Sequence, residues 1–90
     1  MYNTKYRLAE IEELNGHNSV HDEMKGNICY LAYLNHGERG WFLIDTGEKF
    51  NPVHRIHTSV VKDVKYTRGK QVIVTTKNTK YIFEAVIEMP

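Results

Sequence analysis

The segment "HRIHTSVVKDV", His54 to Val64, sets two imidazoles, a guanidinium, two hydroxyls and a lysine around a pair of valines. These groups suit an anion. Arginine offers a planar fork of donors, protonated histidine another donor and serine a hydroxyl, which together match phosphate or carboxylate. In an extended chain Arg55, His57 and Ser59 project to one side, while His54, Ile56 and Thr58 project to the other. Ile56 then points inward and the Arg55/His57/Ser59 row outward, with Lys62 close behind. A scaffold reading stands beside this one. Thr58 and Ser59 can close onto nearby backbone groups, and Arg55 can pair with Asp45 or Glu48.

Two histidines can also act as acid and base in phosphodiester cleavage, because imidazole titrates near neutral pH. His54 and His57 with Lys62 or Arg55 contain the parts for that chemistry, but nothing in the sequence fixes their geometry. No Gly-rich phosphate loop, nucleophile elbow or paired-carboxylate pattern accompanies them. The expectation is a protein that is not an enzyme. His17 and His21, followed by Asp22 and Glu23, have a spacing that gathers metal ligands only on a helix, and Asn15, Gly16 and Asn18 oppose a helix there. There is no Cys-x-x-Cys frame, so neither a metal nor another cofactor is expected. Cys29, the single cysteine, lies within the apolar "NICYLAYL" and reads as a small buried hydrophobe.

Rings interleaved with cations are the equipment of single-stranded nucleic-acid binders, since bases stack on rings while cations follow phosphates. Trp41, Tyr66 and Tyr81 are the candidates, although rings among apolar neighbours also fill small cores. The net charge of +1 argues against tight nonspecific binding to nucleic acid. That charge is unevenly spread. Residues 1–50 hold five Lys/Arg against eight Asp/Glu, leaving −3, and residues 51–90 hold seven against three, leaving +4. Such asymmetry can steer an anionic partner to one face or be neutralised within the fold.

Ninety residues make one domain. Hydrophobic residues at 41% and charged residues at 26% suit a globular chain that folds unaided. A domain of this size buries only about 60 to 65% of its unfolded surface, so self-association would help it and a homodimer is expected. Apolar runs such as "WFLI" fall far short of the roughly 20 residues that span a bilayer. The start "MYNTKYRLAE" has neither a basic n-region nor an apolar stretch, so the cytoplasm is the expected compartment.

The elements that would position these groups read as strands. "QVIVTTKNTKYIFEAVI" predicts a hairpin of Gln71 to Thr76 with Lys80 to Ile87, turning at Lys77, Asn78 and Thr79, with Tyr81 and Phe83 facing the core. "VVKDVKYTRGKQVIV" predicts another, Val60 to Tyr66 with Gln71 to Thr76, in which Gly69 supplies the turn's positive φ. Val60, Val64 and Tyr66 share a face that Val61 leaves, so either a covering element hides Val61 or a bulge near Lys62 resets the phase. A third hairpin joins Ile28 to Leu34 with Arg39 to Ile44, Gly37 and Gly40 marking the bend. Ile28, Tyr30, Ala32 and Leu34 lie on one side of it and Cys29, Leu31 and Tyr33 on the other, so this strand is central or covered by a partner. "KYRLAEIEEL" is ambiguous, because Leu8, Ile11 and Leu14 recur at intervals of three whereas Tyr6, Arg7 and Leu8 alternate; a strand is the expectation. "NGHNSVHDEMKG" is a polar loop. Together these predict an all-β domain of five to six strands, a strongly bent antiparallel sheet or an SH3-like partly open barrel. A two-layer sheet with one packed helix is the alternative.

The blocks "GERGWFLI", "HRIHTSVV" and "TTKNTKYIFE" resemble a group of small, largely uncharacterised proteins encoded by bacteriophages and mobile elements of Firmicutes. The resemblance covers about residues 26 to 87 and transfers no catalytic motif. It implies action by binding, as inhibitors of host defences such as CRISPR nucleases or as sponges for nucleotide signals. On that reading the partner is a bacterial host protein, met through Arg55, His57, Ser59, Trp41 and Lys62. A phosphorylated nucleotide and a nucleic acid are the alternative ligands.

Overall fold

The computed structural model describes residues 4–14, 24–47, 49–50 and 53–86. The loop with His17, His21, Asp22 and Glu23, together with Glu48 and Ile87, lies outside the described residues. Six strands follow one another: β1 (Tyr6–Glu13), β2 (Ile28–Tyr33), β3 (Arg39–Asp45), β4 (Val53–Tyr66), β5 (Gln71–Thr76) and β6 (Thr79–Ala85). Each strand is antiparallel to its neighbour in sequence, and β1 pairs with β6 to close a barrel in the order β1-β2-β3-β4-β5-β6. The partly open form expected from the sequence is therefore a closed one. Pairing the first strand with the last shortens the exposed edge that an open sheet would leave.

The seam is unequal on its two sides. β1 pairs with β6 from Tyr6 opposite Ala85 to Glu13 opposite Thr79, but with β2 only at Tyr6/Cys29 and Arg7/Ile28. Two loop bonds extend the short side: Leu8 N–H donates to Asn27 O at 3.0 Å and Gly26 N–H to Leu8 O at 2.7 Å. On the long side Arg7 holds Glu84 across the strands at 2.6 Å. The Arg7 guanidinium, and then the Gln71 amide, hold the Glu84 carboxyl below its ordinary value. This contribution to stability is present at neutral pH and is lost as the pH falls through that lowered value.

Bulges explain the irregular spacings in the sequence. In β1 Leu8 faces Phe83 while Glu10 faces Ile82, so one extra residue sits in β1. Leu8 and Ile11, three apart, thereby both turn inward, 0% and 8% exposed. What resembles a helical period is a strand with a bulge. In β4 the register slips twice, between the pairs His57/Trp41 and Val60/Arg39 and between Val61/Thr76 and Asp63/Thr75. The second slip is the expected resetting near Lys62, and it buries Val61 completely while Val60 stays 38% exposed. β4 is also longer than expected, because "HRIHTS" is strand and not an approach to one. Its first half pairs with β3 and its second with β5, and the bulges between the halves bend it from one wall to the next.

The interior is filled by side chains from all six strands. Phe42 meets Tyr81 and Phe83 edge-on, with centroids 5.6 and 5.2 Å away. Such pairs contribute about 0.5–1.5 kcal/mol beyond their burial. Tyr81 and Phe83 face the core as expected, at 2% and 0% exposed. Polar closure occurs where β4 meets the β5–β6 turn. Thr76 Oγ1 donates to Thr79 O and accepts Thr79 N–H and Ser59 Oγ–H. The turn consists of Lys77 and Asn78 alone, and β6 starts at Thr79.

Two glycine assignments change. Positive φ in the β4–β5 turn belongs to Lys70, at 62°, and not to Gly69. Lys70 N–H reaches Thr67 O at 3.2 Å, closing a β-turn over Arg68 and Gly69, and the residue after such a turn adopts the left-handed conformation in a bulged hairpin. Gly40 does not mark a bend. It lies buried in β3, where an added Cβ would stand 2.7 Å from Tyr33 O, 2.9 Å from Leu34 Cδ2 and 3.2 Å from Thr58 Oγ1. Its N–H donates to Thr58 Oγ1 at 3.0 Å. Gly40→Ala should therefore lower unfolding free energy by about 1–3 kcal/mol, as overpacking does. Chemical denaturation checks this, and unchanged stability would refute the tight crossing.

Candidate functional surface

β2, β3 and the first half of β4 build a wall whose outward residues fall in three rows. Cross-strand register gives Ile28–Asp45–Val53, Tyr30–Leu43–Arg55 and Tyr33–Trp41–His57. The residues between them, Cys29, Phe42 and Ile44, are at most 1% exposed and face the core. Apolar residues on both sides of β2 are thus accounted for: one side fills the barrel and the other paves this wall. Tyr33 reaches the wall because the register slips between Leu31 and Tyr33. Alternation alone places it with Cys29, on the core side. It is 40% exposed, and its hydroxyl donates to the Glu38 carboxylate.

Arg55 lies across Trp41, its Cζ 4.4 Å from the ring centroid. Arg55 opposes Leu43, one step along the strand from Trp41's partner His57, and this diagonal lets a long side chain fold back over the indole. The pairing of Arg55 with Asp45 is not formed. Asp45 Oδ1 instead accepts Gly47 N–H at 2.9 Å in the following loop. A guanidinium on an indole face keeps its charge and several donors available at the surface. His57 is exposed beside it.

The other expected site residues part from this row. Ser59 lies within the first bulge of β4, half-buried, donating to Thr76 Oγ1 at 2.9 Å and accepting Asn78 N–H at 3.3 Å. Its hydroxyl ties β4 to the β5–β6 turn. Lys62 is exposed at the second bulge, where β4 has already begun its other wall. Of the three candidate rings, Trp41 is half-buried on the wall, Tyr81 is in the core and Tyr66 stands 72% exposed at the end of β4. His54 and His57 are an odd number of residues apart on one strand, so their rings project from opposite faces. No group of three His, Cys, Asp or Glu is placed to hold a metal ion among the described residues. None of these residues forms a helix long and apolar enough to cross a membrane.

Tyr30, Leu43 and Tyr33 were not singled out by sequence. For the two tyrosines the only signal was the two-sided apolarity of "NICYLAYL", which shows that a second face exists without showing what shares it; Leu43 lies in "WFLI" on the facing strand.

The rest of the outside is different. Across β1, β6, β5 and the second half of β4 the outward rows are Glu12–Lys80–Thr75–Asp63 and Glu10–Ile82–Ile73–Lys65. Both rows begin on an acid and contain a base, a pattern that favours solvation. The β2–β3–β4 wall is the aromatic side of the barrel.

Cys29 is buried, and desolvation pushes its thiol up to about 12. A neutral thiol in the core is a poor nucleophile. Comparison with protein-family models, with curated proteins and with solved structures finds no match to this chain.

Two measurements check the site. Arg55→Ala should shift the emission of the single tryptophan to the red while lowering stability by no more than about 1 kcal/mol. Unchanged emission would mean that the guanidinium does not cover the ring. A thiol reagent at mildly alkaline pH should label Cys29 only as fast as the protein unfolds, and rapid native labelling would contradict its burial.

Proposed function

We propose that this chain is a non-enzymatic binding module that recognises a protein partner through the wall built by β2, β3 and the first half of β4. One observation carries the reading: Trp41, Tyr33, Tyr30 and Arg55 share one outward surface, with Arg55 already ordered over Trp41. Tryptophan, tyrosine and arginine supply most interface hot spots, because they bury large area while losing few rotamers or offer many donors. Arg55 adds a charged group and His57 a further polar contact beside the rings. Together with the resemblance to phage and mobile-element proteins, the partner class is a bacterial host-defence protein such as a CRISPR nuclease, met in the host cytoplasm.

A nucleotide sponge is the second reading, and Arg55, His57 and Lys62 favour it. It draws less support from the geometry, since the Ser59 hydroxyl is engaged in the scaffold and Lys62 lies beyond a bulge. Self-association is the third use of the same wall.

The purified chain and its Trp41→Ala and Arg55→Ala variants should be compared for capture of host proteins and for thermal shift with cyclic and linear nucleotides. Each substitution should weaken the captured complex at least about tenfold, the scale of a hot-spot residue. A nucleotide that raises the melting temperature of the parent but not of Arg55→Ala would replace this reading with the second. A dimer in sedimentation that Trp41→Ala dissociates would assign the wall to a second copy.

A further inference from the structure

The β4–β5 turn carries a feature that the wall does not explain. From Val64 to Phe83 the chain holds five cations and no Asp or Glu. Two of the five, Arg68 and Lys70, lie in the turn that follows Tyr66, and Lys65 precedes it on the other face of β4. Of the cations elsewhere, Arg7 is engaged with Glu84, Arg55 with Trp41 and Arg39 through Nε with Thr58 O, whereas the side chains of Lys62 and Lys80, like those of the turn, are not engaged among the described residues. The side chains of Lys65, Tyr66, Arg68 and Lys70 have no hydrogen bond, ion pair or ring contact among the described residues. Tyr66 is 72% exposed although its strand partner Val72 is 2% exposed. A ring so placed forgoes the burial that aromatic side chains ordinarily gain.

The turn itself is firmly held. Thr67 N–H donates to Gln71 O at 2.9 Å, Gln71 N–H to Thr67 Oγ1 at 3.2 Å, and Ala85 N–H to Lys70 O at 2.9 Å. Lys70 occupies the left-handed conformation, at φ 62°, which costs a side-chain-bearing residue about 1–2 kcal/mol and glycine almost nothing. A position suited to glycine is occupied by a cation. Backbone strain held by a rigid frame is characteristic of sites where the side chain itself is used.

We propose that this hairpin tip is a contact for single-stranded nucleic acid, Tyr66 stacking on a base while Arg68 and Lys70 lie against phosphates. The pairing of one free ring with surrounding cations selects this ligand. A nucleotide presents a π-face and a phosphate together, so one ligand satisfies both the ring and the charges. The tip lies on the second half of β4, past both bulges, so the contact is independent of the Trp41/Arg55 wall.

Fluorescence anisotropy with labelled oligo(dT) and oligo(U), between about 50 and 200 mM salt, tests it through the dependence of log K on log salt. The parent should bind with a slope near −1.4, about −0.7 for each of two neutralised phosphates. Lys70→Gly should raise the melting temperature by relieving the left-handed residue, yet make the slope shallower by about 0.7. Failure to fold cannot mimic that pair of effects. Tyr66→Ala should weaken binding about fivefold to a hundredfold and leave the slope unchanged. Absence of binding at the lower salt, a Lys70→Gly variant with the parent's slope, or equal binding of polyglutamate that Tyr66→Ala does not alter would each overturn the proposal.

Discussion

One strand has to turn a corner, and most of the surface chemistry follows from how it does so. β4 spans fourteen residues and serves two walls, pairing with β3 before its bulges and with β5 after them. A regular strand of that length would hold its pleat throughout and send every second residue to the same side. The extra residues break that rule. They let Thr58 and Val61, three apart, both face inward, and they separate Arg55 and His57 on one wall from Lys65 on another. The Gly40 crossing and the Ser59/Thr76 hydroxyl network hold the bend. Small and hydroxylated side chains are needed there because the backbones approach too closely for anything larger, and because the groups freed by the bulges still require partners.

Closure decides where recognition can take place. Six strands around a core of Phe42, Phe83, Tyr81 and aliphatic side chains leave an interior occupied by the protein itself. Chemistry left over for a partner therefore lies outside. There the barrel divides its residues unevenly, with charged residues of both signs over β1 and β6 and rings over β2 and β3. A small domain has too few apolar residues to spend on a solvent-facing wall without cause, which gives the Tyr30/Trp41/Tyr33 surface its weight. The exposed patch is also held by what lies beneath it, since its residues alternate with the most buried side chains of the same strands. Such a surface reaches a partner already ordered, and less freedom is lost on binding.

The bipolar charge has a structural counterpart. Part of it is neutralised within the fold, as where Arg7 joins Glu84 across the closing seam. Part of it is not, and some of the unpaired cations lie at the β4–β5 turn, whose two strands contribute no acid from Val64 onward. The split between halves of the sequence thus becomes a local positive end on a chain that is nearly neutral overall.

The sequence was enough for the fold class. Alternating β-branched and aromatic residues between short turns announce antiparallel strands, and the inward side of β6 followed directly from "KYIFEA". The phase conflict at Val61 was legible as a bulge near Lys62, because two adjacent valines cannot both face one core. The anion-suited residues Arg55 and His57 could be placed outward by parity alone. The closed seam, the first bulge of β4, the bulges in β1 and β2, and the left-handed lysine beside an ordinary glycine belonged to the tertiary structure. Parity propagates along one strand only until an extra residue resets it, and where that residue sits is chosen by register with a neighbour far away in sequence. Leu8 and Ile11 looked helical, Tyr33 looked internal and Ser59 looked like part of the Arg55 row for this same reason. Which side chains share a surface is a property of strands paired across the barrel, and no single strand contains it.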